Sequence, residues 1–545
     1  MSSSAVCVRR AGLMEFFAAS MEEYFGLLMG VILLLFLPGL AITYFWISSS
    51  MLRSQLRRNG LDGPRPSFPL GNLMEMYKKV AMLPPPPPPS SSTSSSSSEK
   101  GCSIQISHDI HSTVFPYFAR WRKIYGKAFI YWLGTEPFLY IEDPEILKKI
   151  TSGKLGKKWG KPDVFKHDRK PMFGTGLVMI DGDVWARHRN IIAPAFSTTN
   201  LNKMIAMMED STTKMLQEWA NQVRKGANEI DVEKEITMNA AEIIAMSSFG
   251  ISQEKGKEVF QKLQAMQIML FKKNRLVGVP FSKFFSPKQS YKAWKLGKEI
   301  DDLLFDIISS RKKEERVQDD LLGLLLAGNE EEARDEKKLT RRELVDECKT
   351  FFFGGHETTA LALTWTLLLL ALYPEWQKLL REEIMEVSEG RPLNSDMLPK
   401  LIKMGWVWNE VLRLYSPAPN SLRQAREEIV TDEITVAKGT NMWIDVVGMH
   451  HDKDLWGDDV NEFKPERFKD SINGGCKHRM GYLPFGFGGR ICIGRNLSLM
   501  EYKIVLSLIL HKFTMSISPT YVHSPSIMLS LRPSQGVPLI LHLLE

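Results

Sequence analysis

Cys492 lies in a glycine-rich segment whose composition suits a thiolate that meets a large, flat group. Glycines stand on both sides of it, and glycine lets a backbone approach a planar ligand closely and adopt positive φ. Arg490 adds a fixed positive charge two residues before the cysteine. The apolar run from Leu497 to Leu510 predicts a helix, whose N-terminal dipole would favour a thiolate. The alternative is a surface loop with an inert, buried cysteine.

A second group of residues that could do chemistry stands in the middle of a long helix, predicted from about Thr340 to Tyr373. Gly354 and Gly355 each cost about 1 kcal/mol in a helix interior relative to alanine, and such local rule-breaking is typical of functional sites. The missing side chains leave room for a ligand against the helix. The carboxylate of Glu357 beside the hydroxyl of Thr358 could relay protons. A buried helix with a kink is the alternative.

The cysteine segment matches the pattern Phe-x-x-Gly-x-Arg-x-Cys-x-Gly in full, through Phe485, Gly488, Arg490, Cys492 and Gly494. In this respect the chain resembles the cytochrome P-450 superfamily. The resemblance implies a b-type haem whose iron is ligated by the Cys492 thiolate, a ligand that pushes electron density onto the iron and favours O–O cleavage. Phe485, Arg490 and Gly494 would then contact the haem.

The segment from Gly354 to Thr359 resembles the oxygen-binding motif of the same family, Ala/Gly-Gly-x-Asp/Glu-Thr. The resemblance implies that Thr358 hydrogen-bonds the oxygen on the iron and that Glu357 feeds protons inward. Because a thiolate already fills the axial role, we interpret His356 as a helix-surface residue and not as a ligand.

Haem carries two propionates, so the site needs fixed cations and polar donors. Trp185 and Arg189 match the pattern Trp-x-x-x-Arg, whose members meet propionates in the family. Arg189, Arg423 and Arg490 are the candidate partners of the propionates, with Trp185 beside them. An ordinary amphipathic helix is the alternative for so short a pattern.

Glu410 and Arg413 stand at positions i and i+3, which share one face of a predicted helix. Arg467 follows at the spacing seen in the family, where it would close a Glu-Arg-Arg network. Planar guanidinium groups suit such buried, bidentate contacts. We therefore interpret all three residues as holding the haem-binding core together, without a part in the chemistry.

The pattern of helices and strands predicts the fold class. Apolar runs at Ala128–Leu133 and Phe138–Ile141 flank a turn and predict a hairpin. Asp143 and Pro144 supply an N-cap and a first-turn proline for the next helix. Residues 200–372 are mostly helical by periodicity, and shorter strands follow. We predict a mainly α fold with small β-sheets, which the resemblance implies is the cytochrome P-450 fold.

The run from Phe25 to Ile47 contains no charged residue. At 1.5 Å per residue it measures about 35 Å, enough to cross a hydrocarbon core of about 30 Å. Arg53, Arg57 and Arg58 follow it, so the positive-inside rule places the body in the cytosol. We predict a single N-terminal transmembrane helix in the endoplasmic reticulum membrane. A buried core helix and a cleaved signal peptide are the alternatives.

Composition and the resemblance to cytochromes P-450 together divide the chain into four parts. We predict a membrane anchor over residues 1–52, a proline-rich hinge over 53–83, a low-complexity Pro/Ser insertion over 84–100 and a haem-binding monooxygenase domain over 101–545. The Pro/Ser tract has no apolar side chains to bury beyond its prolines, which favours a disordered surface insertion. A ligand for a proline-recognition domain is the alternative.

Composition also excludes some classes of protein. The net charge of +7 comes from mixed basic and acidic residues, a pattern that shows no nucleic-acid footprint. Five scattered cysteines form no disulfide framework, which favours a reducing compartment. The resemblance implies that electrons come from NADPH, and because the chain has no dinucleotide fingerprint or flavin segment, a separate reductase would deliver them.

The resemblance therefore implies a membrane-anchored plant microsomal monooxygenase. It would insert one atom of O2 into an apolar small molecule, such as a terpenoid, a hormone or a fatty acid. Two alternatives stay open at this point. One is a haem-thiolate isomerase or dehydratase that acts on a hydroperoxide, and the other is a non-catalytic membrane scaffold.

Overall fold

The computed structural model describes residues 29, 39–80, 106–251, 253–271, 276–282, 286–313, 320–330 and 338–544. Helices dominate these residues, and four small β-sheets accompany them. The fold is therefore mainly α with small sheets, as predicted.

The helices in chain order are α1 (39–58), α2 (Leu73–Val80), α3 (His111–Val114), α4 (Pro116–Tyr125), α5 (Pro144–Thr151), α6 (Asp163–Phe173), α7 (Gly182–Ile192), α8 (Thr198–Asn202), α9 (Ile205–Arg224), α10 (Val232–Phe249), α11 (Gln253–Phe271), α12 (Pro287–Lys313), α13 (Leu321–Glu330), α14 (Arg341–Leu372), α15 (Pro374–Ser388), α16 (Ile402–Leu414), α17 (Val446–His450), α18 (Lys453–Trp456) and α19 (Arg495–Lys512). The strands are β1 (Ala128–Leu133), β2 (Glu136–Ile141), β3 (Trp159–Gly160), β4 (Glu229–Asp231), β5 (Asn420–Ala425), β6 (Ile429–Val430), β7 (Thr435–Val436), β8 (Asn441–Asp445), β9 (Phe513–Ile517), β10 (Pro525–Met528), β11 (Ser530–Pro533) and β12 (Pro538–Leu543).

The longest helix of the described residues, α14, runs through the core. Thr340 caps its first turn in a capping box with Glu343, in which each side chain accepts from the other residue's backbone N–H. The helix ends before Tyr373, and Pro374 begins α15. The predicted helix over Thr340–Tyr373 is confirmed. Most residues of α14 are buried, because α10, α16 and α19 pack around it.

The predicted hairpin is confirmed, with a shorter turn. β1 and β2 are antiparallel, and only Gly134 and Thr135 separate them, so β2 begins at Glu136. The carboxylate of Asp143 accepts from two backbone N–H groups at the start of α5, as the N-cap prediction required. A five-stranded sheet has the order β1-β2-β8-β5-β3, and its strand β5 carries Arg423.

The residues after α1 lie against the first hairpin. Ile130 of β1 donates its N–H to the carbonyl of Asp62 at 2.9 Å. The side-chain oxygen of Asn72 accepts from the N–H of Trp132 at 2.9 Å, and its amide donates to the carbonyl of Arg65 at 3.1 Å. These contacts attach α1 to the body. The Pro/Ser tract over 84–100 lies outside the described residues.

No single helix among the described residues is long and apolar enough to cross a bilayer. The bent pair α14 and α15, at 113°, passes the same test by length and composition. Of the predicted span Phe25–Ile47, the structure describes residue 29 and residues 39–47, and the remainder lies outside the described residues.

Candidate functional site

A cavity of about 400 Å³ lies between the Cys492 segment and the middle of α14. Cys492, Phe485 and Gly494 line it, and so do Gly354 and Thr358. The two segments that the sequence analysis selected for chemistry, about 130 residues apart in the chain, therefore face the same cavity.

The backbone around Cys492 brings its thiol to the cavity wall. Gly486 and Gly488 have φ of 72° and 64°, conformations that side chains disfavour, and the Cys492 N–H donates to the Phe485 carbonyl at 3.0 Å. Burial raises the pKa of the Cys492 thiol, and hydrogen bonds from the backbone of Gly494 and the following residue oppose this rise. A metal cation at the sulfur would supply the positive charge that favours the thiolate.

The two glycines of α14 have different roles. Gly354 has open space where a side chain would begin, so it leaves room in the cavity. A Cβ on Gly355 would lie 2.4 Å from Cδ1 of Ile244, so this glycine lets α10 pack closely against α14. The hydroxyl of Thr358 lines the cavity and donates to the Gly354 carbonyl at 2.8 Å.

Four cationic side chains line the cavity, against one acidic residue, Glu501. The four are Lys161, Arg189, Arg423 and Arg490. Within the described ranges, none of the four forms an ion pair with a carboxylate. Sequence analysis selected the three arginines and missed Lys161, which no motif marks.

Burial and mutual repulsion oppose the charged forms in the cationic cluster, although nearby Asp181 favours the charged forms of Lys161 and Arg490. Burial lowers the pKa of Arg423 to about 10, with a further contribution from Arg490. Burial also lowers the pKa of Arg490 to about 10. For Lys161, burial together with these two arginines lowers the pKa well below its usual value. An anion in the cavity would offset the free-energy cost of keeping these side chains charged, because a nearby opposite charge favours the charged form.

Trp185 lies behind the cationic cluster. The guanidinium carbon of Arg490 lies 4.6 Å from the centre of the Trp185 ring, and Nη1 of Arg490 donates to the Ile180 carbonyl at 3.0 Å. The indole therefore supports Arg490 by a cation–π contact. A flat, doubly anionic group that offers a metal to Cys492 fits these residues, and haem with its two propionates is such a group.

Comparison with known families agrees with this chemistry. Residues 94–538 match the family described as cytochrome P-450. The chain belongs to the cytochrome P-450 family. Its members are haem-thiolate monooxygenases, so this chain is a cytochrome P-450 monooxygenase with haem as its cofactor.

Several plant proteins are similar to this P-450 over nearly all its length. Cytochrome P-450 714C2 of Oryza sativa subsp. japonica is 36% identical, over 97% of this chain and 99% of that protein. A cytokinin hydroxylase of Arabidopsis thaliana is 37% identical, over 92% of this chain and 94% of that protein. Cytochrome P-450 734A1 of Arabidopsis thaliana is 33% identical, over 94% of this chain and 96% of that protein.

Glu357 of this P-450 does not line the cavity. Its carboxylate accepts from the Ser530 hydroxyl at 2.5 Å and from the Gln267 amide at 2.8 Å, and the Arg532 guanidinium lies 3.9 Å away. Arg532 is also ion-paired with Glu233. Sequence analysis missed these partners, because they come from distant segments without a motif.

His356 is buried, and its interpretation as a helix-surface residue was wrong. Its ring nitrogen Nδ1 donates to the Phe352 carbonyl at 2.6 Å, and the ring of Phe260 packs against it with 5.1 Å between centroids. The reason is that α11 covers this side of α14.

Glu410, Arg413 and Arg467 meet in the core of the P-450. Arg413 donates twice to Glu410, at 2.7 and 2.8 Å, and both side chains are fully buried. Nε of Arg467 lies 3.5 Å from the same carboxylate. Arg467 also pairs at 2.8 Å with Asp459, a partner that sequence analysis missed.

Proposed function

We propose that this P-450 is a membrane-anchored enzyme of the plant microsomal type. It inserts one oxygen atom from O2 into an apolar small molecule, with electrons from NADPH delivered by a separate reductase. The observation that carries this proposal is the shared cavity, which is lined by a thiol, a cationic cluster and the Thr358 hydroxyl.

In this proposal, the Cys492 thiolate would hold the haem iron, and Phe485 and Gly494 would contact the haem beside it. Arg189, Arg423 and Arg490 bind the propionates, Lys161 joins them, and Trp185 supports Arg490. Bound haem supplies the activation of O2 for insertion into a C–H bond. Within the described residues none of the four cations is ion-paired with a carboxylate, which supports this assignment, because a bound anion would give them a partner.

Thr358 holds a proton at Oγ1 beside the reacting centre. In the present geometry that proton points to the Gly354 carbonyl, and rotation about the Cβ–Oγ1 bond redirects it into the cavity. Glu357 passes protons toward Thr358 from the buried side of α14, where Ser530 and Gln267 hold its carboxylate. Glu410, Arg413 and Arg467 keep the haem-binding core together without taking part in the reaction.

The substrate class follows from the remaining wall of the cavity, which is largely apolar. Its apolar residues include Leu177, Val178, Phe196, Ile244, Leu321 and Phe351. Such a wall favours a hydrophobic substrate, oriented by few polar groups. Together with a relative named cytokinin hydroxylase, it supports a hormone-like, terpenoid or fatty-acid-like substrate.

The described part of α1 supports membrane anchoring in the endoplasmic reticulum, with the body in the cytosol. Its apolar side chains are largely exposed, among them Leu40, Ile42, Trp46 and Ile47. Phe45 contacts Phe281, so the same helix also touches the body. A single span over Phe25–Ile47 would place these exposed side chains in lipid.

The reduced, CO-bound spectrum tests the haem assignment, and a Soret band without the red shift of thiolate ligation contradicts it. Product formation with O2, NADPH and a reductase, screened over hormone, terpenoid and fatty-acid pools, tests the reaction. Turnover of a hydroperoxide without O2 or reductase would instead favour the isomerase alternative. Release of the full chain from microsomes by alkaline carbonate would contradict the transmembrane anchor.

A further inference from the structure

Three tyrosines and two histidines form one continuous hydrogen-bonded chain beside the cavity. His108 Nδ1 lies 2.7 Å from the Tyr415 hydroxyl, and His108 Nε2 lies 3.1 Å from the Tyr373 hydroxyl. On the other side, His523 Nε2 lies 3.4 Å from the Tyr415 hydroxyl, and His523 Nδ1 lies 2.8 Å from that of Tyr521. The reaction proposed above uses none of these residues.

One choice of tautomers satisfies all four contacts. Tyr521 donates to His523 Nδ1, His523 donates from Nε2 to Tyr415, Tyr415 donates to His108 Nδ1, and His108 donates from Nε2 to Tyr373. Burial lowers the pKa of both histidines to about 4, so both are neutral at neutral pH. The hydroxyl protons of Tyr415 and Tyr521 thus each point at a neutral imidazole, which can accept the proton.

The hydrogen-bonded network extends from near the cavity lining to the protein surface. Tyr415 precedes Pro417 and Ala418, which line the cavity. The indole of Trp365 on α14, two turns beyond Thr358, stacks on the Tyr415 ring with 4.4 Å between centroids and 16° between planes. Tyr373, at the other end, is partly exposed.

We propose that these residues form a redox-active route that conducts an oxidising equivalent out of the cavity when no substrate consumes it. The proposal rests on the proposed function, because oxidised haem is the oxidant. One electron passes from Tyr415 through Trp365 to the haem, which is reduced by one electron. The Tyr415 hydroxyl proton moves to His108 Nδ1, leaving a neutral tyrosyl radical and a protonated imidazole.

The route is completed at the surface. Tyr373 gives one electron to the Tyr415 radical and releases its own hydroxyl proton to water. His108 returns the proton on Nδ1 to Tyr415, which regenerates the Tyr415 hydroxyl and neutral His108. A soluble one-electron donor, such as ascorbate or a thiol, then reduces the Tyr373 radical, which takes up a proton from water. The function of such a route is protection, because the oxidising equivalent reaches a replaceable reductant in place of the cavity walls.

Tyr131 offers a matched control. It is fully buried like Tyr415, but its hydroxyl has no hydrogen-bond partner in the described part of the chain. Oxidation of a tyrosine releases its phenolic proton, so a tyrosine without an acceptor is a poor site for a radical.

The experiment mixes full-length, haem-loaded enzyme with hydrogen peroxide in the absence of substrate, freezes it within milliseconds and records the electron paramagnetic resonance spectrum. We expect a tyrosyl radical in the wild type, loss of most of that signal in Tyr415→Phe, and an unchanged signal in Tyr131→Phe. His108→Phe, which removes the main proton acceptor, is expected to lose the signal too. Ascorbate added before freezing is expected to shorten the lifetime of the wild-type radical.

If the haem-loaded enzyme forms no tyrosyl radical, or if the radical signal is the same in the wild type and in Tyr415→Phe, this inference is overturned and the proposed function is not. Equal loss in Tyr131→Phe does so too, because it shows a general effect of removing buried hydroxyls. A chain without the optical spectrum of thiolate-ligated haem overturns the proposed function, and this inference with it.

Discussion

Glu357 and Thr358 are neighbours in the sequence, yet their side chains lie on different sides of α14. Thr358 lines the cavity, and its hydroxyl donates to the Gly354 carbonyl at 2.8 Å. Glu357 is buried outside the cavity, where Ser530 and Gln267 donate to its carboxylate. A proton that travels between the two must therefore cross the helix surface, by side-chain rotation or through water.

We expect Thr358→Ala to keep haem and substrate binding but to lose coupling, because neither binding step needs the hydroxyl. NADPH consumption continues while product falls and hydrogen peroxide is released. General acid assistance is worth about 10²–10⁴ in rate, and water can replace part of it, so the loss lies near the lower end. The measurement is product and peroxide formed per NADPH. Thr364→Ala is the control, because Thr364 makes the same hydrogen bond to residue i−4 of α14 away from the cavity.

Replacement of Cys492 by alanine is expected to abolish the thiolate spectrum and all turnover. Cys476, half-buried and outside the cavity wall, provides the control, and Cys476→Ala is expected to change neither. The reduced, CO-bound spectrum checks both variants. A thiolate spectrum that survives in Cys492→Ala would show that another residue ligates the iron.

Glu410→Gln is expected to destabilise the fold strongly, because it leaves the buried Arg413 guanidinium without its carboxylate. Breaking a buried ion pair in this way costs about 3–5 kcal/mol. The exposed pair of Glu389 and Arg391 is the contrast, and Glu389→Gln is expected to cost about 0–1 kcal/mol. The measurement is the free energy of unfolding in urea, and similar losses in both variants would contradict the assignment.

Stability is expected to depend on pH through His188, which is buried between α7 and α14. Burial opposes its protonation, but hydrogen bonds to Glu347 and Glu343 outweigh this and raise the pKa of His188. A raised pKa in the folded state means that the stabilisation is full below the unfolded value of about 6.5 and is lost as pH rises through the folded pKa. The contribution of His188, measured as the free energy of unfolding of the wild type minus that of His188→Gln, is expected to decline as pH rises through this range. His542→Gln, at an exposed position, is the control, and its free energy of unfolding is expected to stay close to that of the wild type.

Deletion of residues 84–98 is expected to leave haem content and turnover nearly unchanged. The entropy of closing a loop changes only slowly with its length, so a shorter connection costs little. The haem-to-protein ratio and the turnover rate are the measurements. Failure to load haem would show that the tract packs on the body.

Local patterns in the sequence determined the parts of the site that short segments build by themselves. Cys492 and its glycines form one backbone turn, and α19 follows from the apolar periodicity after it. The bounds of α14 follow from the Thr340 capping box and from Pro374, because caps and prolines act within one helical turn. The cavity-lining arginines were also predictable, from short motifs and from the resemblance of the chain to cytochromes P-450.

Only the tertiary structure decided the features that depend on which distant segments meet. His356 is buried because α11 packs over it, and Gly355 is needed because α10 approaches α14. Lys161 joins the cationic cluster because β3 pairs with β5, the strand that carries Arg423. The chain of tyrosines and histidines joins residues more than 400 positions apart, from His108 to His523. Such contacts depend on the packing of the whole core, and no local periodicity or spacing encodes them.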